Sequence, residues 1–401
     1  MKLQTRKAVL FITTYAATDT PHGEHLPWML SEAGWEVTVV APHEKDSAVR
    51  QMFCPGWKWR NLKFRTGQSK IASELSLLWE LLRARFGRRP VIVLHSQGIV
   101  ARAWYLFLGP LFGKKLIYHN PDYYDPITYP VRSWMEGRLT RRCDLFIANE
   151  YHRAYIVRSQ HRLRCPVLVS PPNLAARWPI PSRSEKIRSE LDGAVKDAFV
   201  LRLNSGFNPL RMVAQVMEAL ALLPARFRLV MSGGGSVNPK AEELMRRLGI
   251  RERVLMLPPL DYAGVLEYTN NADAGVLLYA NNDLGNYFTS PGRLTEYLAC
   301  GLPVLASRYA GLENLVQRFG IGECVDCEDP RSIAAGIQRL ESAIASGGYK
   351  RAKMRQSFED HFAFEKWAPP LVEAFNNLVS DKPKVKQAPP PQYWFPGPAE
   401  G

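Results

Sequence analysis

The stretch NYFTSPGRLTEYLACGLPVLAS, from Asn286 to Ser307, carries the local signals that decide the fold. Ser290 is a good N-cap, because its hydroxyl can accept a hydrogen bond from a first-turn amide, and Pro291 suits the first helical position. Gly301 suits the left-handed residue that ends a helix, and Pro303 prevents its continuation. The apolar positions of the helix recur at i, i+3 and i+4: Leu294, Tyr297 and Leu298. The stretch therefore predicts a loop, a short helix and a buried strand.

Two polar residues lie on this predicted helix. Arg293 is in the first turn, where backbone amides and the helix dipole already favour an anion. Glu296 shares that face and can accept hydrogen bonds from neighbouring sugar hydroxyls, as an acidic residue does for a ribose in dinucleotide-binding folds. The pair therefore fits a nucleoside diphosphate. An ordinary capped helix with an Arg–Glu surface pair is the alternative.

The run SPGRLTEYLACGLPV resembles the donor-binding helix of retaining GT-B glycosyltransferases of the family 4 type, also called group 1. Their usual form is Ser-Pro-x-Lys/Arg-Leu-x-Glu-Tyr-Leu-Ala-x-Gly-x-Pro-Val. The resemblance covers most of residues 198–380 and, more loosely, the first half. It implies a hexosyltransferase-type enzyme (EC 2.4) that moves a sugar from a nucleoside-diphosphate-sugar to a glycan or lipid-linked acceptor, in cell-surface polysaccharide synthesis. No Asp-x-Asp metal motif follows a predicted strand, so no metal or other cofactor is expected.

The resemblance implies an α/β fold of the GT-B type, with two Rossmann-like domains that face each other across a cleft. We expect an acceptor domain at 1–178 and a nucleotide-sugar domain at 190–362. A helix at 363–380 would return to the first domain, and the Pro/Lys-rich tail 381–401 is expected to be disordered. Regularly spaced apolar runs support two parallel sheets. They are Ala8–Thr13, Glu36–Val40, Val91–Leu94, Leu116–Tyr118, Asp144–Ala148, Val167–Val169, Phe199–Leu203, Arg228–Met231, Val254–Leu257 and Ala274–Leu278.

Titratable side chains follow two of the predicted strands in the first half. His95 comes directly after one strand, and His119 and Asp122 follow the next. In the resembling family a His or Asp after such a strand faces the reacting sugar, so His119 and Asp122 are the candidate catalytic residues. A neutral imidazole can hydrogen-bond a sugar hydroxyl near pH 7. Either histidine could instead cap a strand through a backbone bond.

The resemblance also assigns donor-binding positions to two loops of the second half. Gly206 and Arg211 match a glycine and a phosphate-gripping cation, although relatives often carry Arg where Phe207 stands. Gly233 and Gly234, in SGGGS, follow a strand and let the backbone approach a ligand closely. The spacing is not that of a full GxGxxG motif, so a dinucleotide site is weakly supported.

The loop before Ser290 departs from the family pattern Glu-x7-Glu, in which the earlier Glu contacts the transferred sugar. Phe288 stands eight residues before Glu296. Asp283, Asn282 and the backbone amides near Thr289 are the candidates to replace that contact. The departure leaves open a weak or absent activity, or altered sugar contacts.

The net charge of +14 is concentrated in the first half. Residues 1–180 contain 26 Lys+Arg and 13 Asp+Glu, a balance of +13, whereas residues 181–401 contain 26 and 25, a balance of +1. Such a surface indicates an anionic partner such as a phosphorylated lipid carrier or a membrane. A charge that serves only solubility is the alternative.

A predicted helix from Ser69 to Arg85 could serve such a partner. Its apolar period places Ile71, Leu75, Leu78, Leu82 and Phe86 on one face, and arginines cluster at its end. The pattern fits membrane-surface binding, but it also fits a surface helix with cations at its C-terminus. No run reaches the length of a membrane span. We therefore expect a cytoplasmic protein, with a peripheral position on the inner membrane face left open.

Two other functions remain open at this point. The first is a catalytically inert GT-B-like protein that binds a nucleotide-sugar or a partner, since Phe207 and Phe288 depart from the family pattern. The second is a basic nucleic-acid-binding protein. It is disfavoured because the basic residues form no known reading motif, so we expect no nucleic-acid partner.

Overall fold

The computed structural model describes residues 7–14, 25–42, 57–62, 70–87, 89–193, 195–233 and 238–380. Gly234 and the tail 381–401 lie outside the described residues. Two units can be separated: one runs to Pro172 and resumes at Phe364, and the other spans Asn173–Ala363. Among the described residues, no helix combines the length and the apolar character needed to cross a bilayer.

The first unit is built on a seven-stranded sheet in which every pairing is parallel. Its strands are β1 Ala8–Thr13, β2 Glu36–Pro42, β3 Lys58–Leu62, β4 Val91–His95, β5 Lys115–Asn120, β6 Leu145–Ala148 and β7 Val167–Val169. They lie in the order β3-β2-β1-β4-β5-β6-β7. Nearly every residue of β1, β4 and β6 is buried. Their continuous apolar sequences fit this burial, because a strand of a sheet that is covered on both faces has no side exposed to water.

The helices of the first unit connect these strands. They are α1 His25–Glu32, α2 Lys70–Phe86, α3 Val100–Ala103, α4 Pro130–Thr140 and α5 Tyr151–His161, with 3₁₀ turns at Gln97–Ile99 and Trp104–Phe107. The last helix, Ala368–Val379, belongs to the same unit, where the Trp35 indole donates to Asn376 Oδ1 at 3.2 Å. Pro369 and Pro370 fall in its first turn, where a missing N–H costs nothing.

The second unit repeats the architecture with six parallel strands. They are β8 Phe199–Leu203, β9 Phe227–Ser232, β10 Val254–Leu257, β11 Ala274–Leu277, β12 Val304–Ser307 and β13 Gly322–Val325. Its helices are α6 Glu185–Asp192, α7 Val213–Ala221, α8 Pro239–Leu248, α9 Tyr262–Asn270, α10 Leu284–Tyr287, α11 Gly292–Ala299, α12 Ala310–Phe319, α13 Pro330–Ala345 and α14 Arg351–Ser357. We number the final helix, Ala368–Val379, α15.

Both sheets reverse their strand order at one point, between β1 and β4 in the first unit and between β8 and β11 in the second. In open parallel sheets a ligand binds outside the carboxyl ends of the strands at this point. The two α/β domains of the predicted fold class are therefore confirmed. The topology also locates one candidate ligand-binding edge in each unit.

One local expectation, the N-cap of the opening stretch, is wrong. The helix of the opening stretch begins at Gly292: Pro291 is the flanking residue, with extended backbone (φ −80°, ψ 139°), and no side chain caps the helix. Ser290 is thus one residue too early to act as the N-cap. In α2, the face marked by Ile71, Leu75 and Phe86 points to solvent. Periodicity finds an apolar stripe, but it does not say what the stripe packs against.

Gly275 in β11 provides a test of the packing beneath α11. A methyl group added there would lie 2.2 Å from Cδ2 of the Tyr297 ring, which is fully buried. We expect Gly275→Ala to lower the free energy of unfolding by about 1–3 kcal/mol through overpacking, as measured by chemical denaturation. Gly264→Ala is the control, because its methyl would lie 3.0 Å from Oδ1 of the exposed Asp261 side chain and at ordinary contact distance from Leu260. Equal stability of the two variants would contradict this packing.

Candidate functional site

Asn204, directly after β8, is bonded to three side chains of α11. Its backbone N–H donates to Tyr297 Oη at 3.1 Å, and its carbonyl accepts from Arg293 Nη1 at 3.2 Å. Its side-chain Nδ2 donates to Glu296 Oε2 at 3.1 Å. One residue of the strand end therefore fixes the position and the rotation of the helix that carries Arg293 and Glu296.

Glu296 is only 4% exposed and lies at the centre of this edge. The Tyr262 hydroxyl donates to Oε1 at 3.1 Å, and Asn204 holds Oε2. Burial and the neighbouring Glu296 raise the pKa of Tyr262 well above its ordinary value, so the phenol stays a donor at any physiological pH. Two protein donors thus orient the carboxylate. A carboxylate can accept about four hydrogen bonds, so protein donors and a ligand hydroxyl can share it.

Two arginines predicted to contact phosphate converge on one aromatic ring. Arg293 Nη2 donates to the Tyr279 hydroxyl at 2.6 Å. The guanidinium of Arg211, at the end of the 3₁₀ turn Pro209–Arg211, lies 4.2 Å from the centre of the Tyr279 ring. Cations over an aromatic face are stabilised by its quadrupole. Tyr279, just beyond β11, therefore holds two positive charges side by side.

A further cation lies beneath the site. Arg202 in β8 is fully buried, and it donates to the Val230 carbonyl and the Ser232 hydroxyl. Burial lowers its pKa to about 10, so it remains charged at neutral pH. Arg202 and Arg293 both interact electrostatically with the Glu296 carboxylate, and Arg211 lies near Arg293 at the Tyr279 ring. The excess of positive charge suits an anionic ligand.

The predicted glycine loops meet at the same edge. Gly233 has φ +148°, a conformation that side chains rarely adopt, and a Cβ there would lie 2.7 Å from the Gly206 amide nitrogen. The loops after β8 and β9 can approach this closely because Gly233 has no side chain. Five of the predicted donor-binding residues therefore lie at this edge of the second sheet: Gly206, Arg211, Gly233, Arg293 and Glu296.

The remaining predicted donor-binding residues lie in the segment before α11. Asp283 caps the four-residue helix α10, where its carboxylate accepts from the Asn286 amide at 2.7 Å. Thr289 is buried against α12, since a Cβ on Gly311 would lie 2.9 Å from its backbone nitrogen. Ser290 is half-buried and does not cap α11. Roles for these three in sugar contact stay predictions.

Both departures from the family pattern have a packing explanation. Phe207 is half-buried and packs against the apolar core of the second unit. Phe288 is also half-buried and meets the Tyr287 ring edge-on at 5.1 Å. Each aromatic side chain therefore contributes packing at a place where relatives carry a charged group.

In the first unit, the ends of β4, β5 and β6 bring His95, His119 and Asn149 together. The two imidazoles stack with ring centres 4.5 Å apart, and His119 Nε2 lies 3.2 Å from Asn149 Oδ1. Since the amide oxygen only accepts, Nε2 carries the proton and Nδ1 is the basic nitrogen. Burial lowers the pKa of His119 to about 4, and burial together with His119 lowers the pKa of His95 well below its ordinary value. Both rings are neutral at pH 7.

A strained residue marks the switch point of the first sheet. Ser96 is fully buried with φ 115°, and its hydroxyl is hydrogen-bonded to the Thr14 hydroxyl at 2.5 Å. Non-glycine residues in such conformations cost free energy and cluster at functional sites. This bond joins the ends of β1 and β4 beside His95.

Asp122 is exposed, and its backbone amide donates to Asn120 Oδ1 at 3.1 Å. The Asn120 side chain in turn donates to the buried carboxylate of Glu136, whose second oxygen lies 3.2 Å from His161 Nε2. The buried polar network thus fixes the turn after β5 that presents Asp122. A catalytic role for Asp122 stays a prediction.

Five residues of these two edges were missed from sequence: Asn204, Tyr262, Tyr279, Ser96 and Asn149. Four of them share a signal, because Asn204, Tyr279, Ser96 and Asn149 follow directly or closely after the buried strands that the apolar pattern identified. Polar residues at these positions point to the ligand edge of a parallel sheet. Tyr262 is in the first turn of a helix and gives no such signal.

Comparison with known proteins identifies the second unit. Residues 185–357 match the family model described as glycosyl transferases group 1. Residues 185–357 form a group 1 glycosyltransferase domain. The predicted family is therefore confirmed for this domain, and all the residues assembled around Glu296 lie within it.

Curated relatives agree with this assignment, and solved structures share the fold. A D-inositol 3-phosphate glycosyltransferase of Xylanimonas cellulosilytica is 28% identical over 175 residues, which are 42% of this chain and 40% of the relative. The chain thus spans less than half the length of that relative. Sucrose-phosphate synthase from Thermosynechococcus elongatus has a TM-score of 0.74 at 17% identity and covers 93% of this chain and 99% of its own. Anabaena HepE in complex with UDP-glucose has a TM-score of 0.72 at 16% identity, and the match covers 92% of this chain and 99% of the HepE chain. These structures show that the fold is GT-B.

Among the described residues, no group of three or more His, Cys, Asp or Glu side chains could hold a metal ion. Cys324 and Cys327, the closely spaced pair of the sequence, are both buried free thiols. The Cys327 thiol donates to the Tyr279 carbonyl at 3.2 Å, so it braces the ring that holds the two arginines.

The depressed pKa of His119 predicts a pH-dependent stability. The folded state resists protonation down to about pH 4, whereas an unfolded histidine is protonated below about pH 6.5. Stability is therefore present above pH 6.5 and is lost as the pH falls towards 4. At pH 5 the loss from His119 amounts to about 2 kcal/mol relative to pH 7.5. Chemical denaturation of the first unit's transition at both pH values measures it.

His119→Gln should remove this part of the pH dependence. His152→Gln is a control of opposite sign, because Glu150 raises the pKa of His152 and its contribution is lost as the pH rises. A wild-type protein and a His119→Gln variant with the same pH dependence would contradict the burial of a neutral imidazole.

Proposed function

We propose that this protein transfers a hexosyl group from a nucleoside-diphosphate-sugar to a glycan or lipid-linked acceptor, with retention of anomeric configuration and without a metal ion. The observation that carries the proposal is the cluster at the switch point of the glycosyltransferase domain. There the buried, oriented carboxylate of Glu296 interacts with Arg202 and Arg293, and Arg211 and Arg293 both lie at the Tyr279 ring. A nucleoside diphosphate presents the complementary groups, hydroxyls and phosphates, in one molecule.

The ribose is assigned to Glu296 and Asn204. Glu296 offers carboxylate oxygens already aligned by Tyr262. Asn204 Oδ1 is buried and has no hydrogen-bond partner among the described residues. Buried polar atoms nearly always have a hydrogen-bond partner. We therefore assign a ligand donor, such as a ribose hydroxyl, to this acceptor. Two acceptors side by side match the neighbouring hydroxyls of a pentose.

The diphosphate is assigned to Arg211, Arg293 and the glycine loops. Phosphate oxygens favour guanidinium groups and exposed backbone amides. Gly206 and Gly233 allow a close backbone approach, and Arg211 and Arg293 meet over Tyr279. Fixed cations of this kind stabilise the charge that develops on a leaving diphosphate. They can therefore replace a divalent ion in this role.

Donor and acceptor classes are drawn from chemistry and from relatives. HepE was crystallised with UDP-glucose, which favours a uridine nucleotide as the first donor to test. The charge of +13 over residues 1–180 favours an acidic acceptor. A phosphorylated lipid carrier in cell-surface polysaccharide synthesis fits this charge. An inositol phosphate, the acceptor in the relatives' name, is the alternative to test beside it.

A catalytically inert nucleotide-sugar-binding protein is the second candidate. It is favoured by Phe288, which occupies the place of the family's sugar-contacting Glu, and by Asp283, whose carboxylate is engaged in capping α10. The two candidates share the nucleotide site and differ in turnover. Binding and turnover therefore need to be measured separately.

The ribose assignment predicts a selective loss of affinity. Glu296→Gln keeps the size of the side chain but removes its charge and one acceptor, so it should weaken UDP binding at least tenfold. Pyrophosphate, which has no ribose, should bind the variant as it binds the wild type. Isothermal titration calorimetry with both ligands measures the difference.

Two further variants complete this test. Arg293→Ala should weaken both ligands, because it removes a phosphate contact. Glu243→Ala, at an exposed position of α8, should change neither. An unchanged UDP affinity of the Glu296→Gln variant would remove this carboxylate from the site.

The catalytic assignment predicts a loss of turnover without a loss of donor affinity. His119→Gln should lower kcat at least tenfold while the UDP dissociation constant stays the same, because the imidazole is assigned to the transferred sugar and not to the nucleotide. Release of nucleoside diphosphate from UDP-, GDP- and ADP-sugars, with and without EDTA, measures turnover. His361→Gln in the second unit is the matched control.

Each result of this assay separates the candidates. Turnover that persists in EDTA, with the donor's anomeric configuration kept in the product, supports the metal-free retaining transferase. UDP binding without turnover of any donor supports the inert protein. Equal turnover of His119→Gln and wild type would remove His119 from the reaction.

A further inference from the structure

The first unit exposes an unusual amount of apolar surface. Of the fifteen large apolar side chains that are exposed among the described residues, eleven lie between residues 71 and 134. In α2, Ile71 is 71% exposed, Trp79 60% and Phe86 72%. Phe112, in the loop after the 3₁₀ turn Trp104–Phe107, is 83% exposed. Single exposed apolar residues are ordinary, but a concentrated set marks an interaction surface.

These side chains form one surface, which we call the 71–134 face. Helix α2 packs beside α3 and the 3₁₀ turn, and α4 packs against the same two elements. Arg85 lies within 6 Å of the ring centres of both Phe86 and Phe112, which joins the end of α2 to the loop. Trp104 meets the Trp134 ring at 5.1 Å and so joins the 3₁₀ turn to α4. The face therefore extends across neighbouring elements.

Helix α2 has apolar residues on two opposite sides. The side of α2 that packs inward contains Leu77, Leu81 and Ala84, which are buried. Ile71, Leu75 and Trp79 repeat every four residues on the outer side. Both sides of α2 are therefore apolar, and no described residue covers the outer one. The hydrophobic effect favours covering it.

Cations are interleaved with the exposed aromatic residues. Residues 70–142 contain 12 Lys+Arg and 5 Asp+Glu, a balance of +7. Of the acidic residues, Glu136 is buried, and the Glu74 carboxylate accepts hydrogen bonds from Nε and Nη2 of Arg102. Arg132 and Arg138 are exposed on α4, where Arg138 lies 5.2 Å from the Trp134 ring. Glu80 is buried as well, whereas Asp122 is exposed and Asp125 half-buried, so the balance of charge on this face is positive.

We propose that the 71–134 face docks the protein on an anionic phospholipid bilayer, with Trp79, Phe86 and Phe112 inserted at the headgroup level. Surfaces that lie in a membrane interface typically combine Trp and Phe with Lys and Arg. Aromatic residues are enriched at the headgroup level of a bilayer, where apolar and polar groups meet. Arginines add attraction to anionic headgroups. The positive charge complements this partner, whereas a second copy of the face would be repelled.

The inference is independent of the proposed glycosyl transfer, since it uses none of the residues assigned to the nucleotide or to the reacting sugar. It provides a physical reason for an acceptor carried in a membrane. Loss of membrane binding would leave the nucleotide titrations unchanged, so failure of one proposal can be told from failure of the other.

Vesicle flotation of the full chain tests the proposal. The wild type should float with vesicles of phosphatidylcholine and phosphatidylglycerol, and much less with phosphatidylcholine alone. The double variant Trp79→Ser/Phe86→Ser should bind the anionic vesicles at least tenfold more weakly, because two inserted rings are lost. Arg138→Glu should weaken binding about fivefold or more, and high salt should do the same.

Matched controls come from the second unit. Leu222→Ser removes an exposed apolar side chain, and Arg246→Glu makes the same charge reversal at an exposed position of α8. Both variants should bind vesicles as the wild type does. Thermal unfolding of every variant verifies that it is folded.

Three results would overturn the proposal. The first is equal vesicle binding by the Trp79→Ser/Phe86→Ser variant and the wild type. The second is equal binding of the wild type to neutral and anionic vesicles. The third is a dimer in lipid-free sedimentation that the double variant converts to monomer, because the face would then be an interface between copies of this chain.

Discussion

The candidate ligand-binding edge of the second unit depends on the three hydrogen bonds between Asn204 and α11. They tie the end of the central strand β8 to the helix that carries Arg293 and Glu296. Because they involve the backbone N–H, the carbonyl and the side chain of one residue, they fix both the distance and the rotation of the helix. The charged groups of α11 are then aligned before any ligand arrives, which removes part of the entropic cost of binding.

Electrostatics and packing act together around this constraint. Charged groups can be buried only when they are paired or hydrogen-bonded, and here each group is held by a neighbour of a different kind. The Glu296 carboxylate accepts hydrogen bonds from a phenol and a side-chain amide. Arg293 donates to a phenol and a backbone carbonyl, and Arg211 lies over an aromatic ring. The site therefore keeps its positive excess in a largely buried place. An anion would experience little screening by water there.

The first unit repeats the topology but has a different chemistry at the corresponding edge. Thr14, Ser96, His95, His119 and Asn149 supply neutral polar groups, and two imidazoles are kept uncharged by burial. Such a set suits hydroxyl groups, whereas the second unit's arginines suit phosphates. Two similar sheets thus present complementary chemistries. The outer side of the first unit adds a third, the aromatic and basic 71–134 face.

The sequence by itself determined the parallel α/β domains, because buried strands of such sheets are continuous apolar runs that alternate with helical periods. It also located Arg293 and Glu296, since the motif around them is local and its spacing is visible along the chain. Tertiary structure decided what local patterns cannot encode. Asn204 and Tyr262 reach Glu296 from 92 and 34 residues away, and no local period relates them. The outward direction of Ile71, Trp79 and Phe86 was likewise undetermined, because α2 has apolar residues on both sides and only packing against the sheet selects which one is covered.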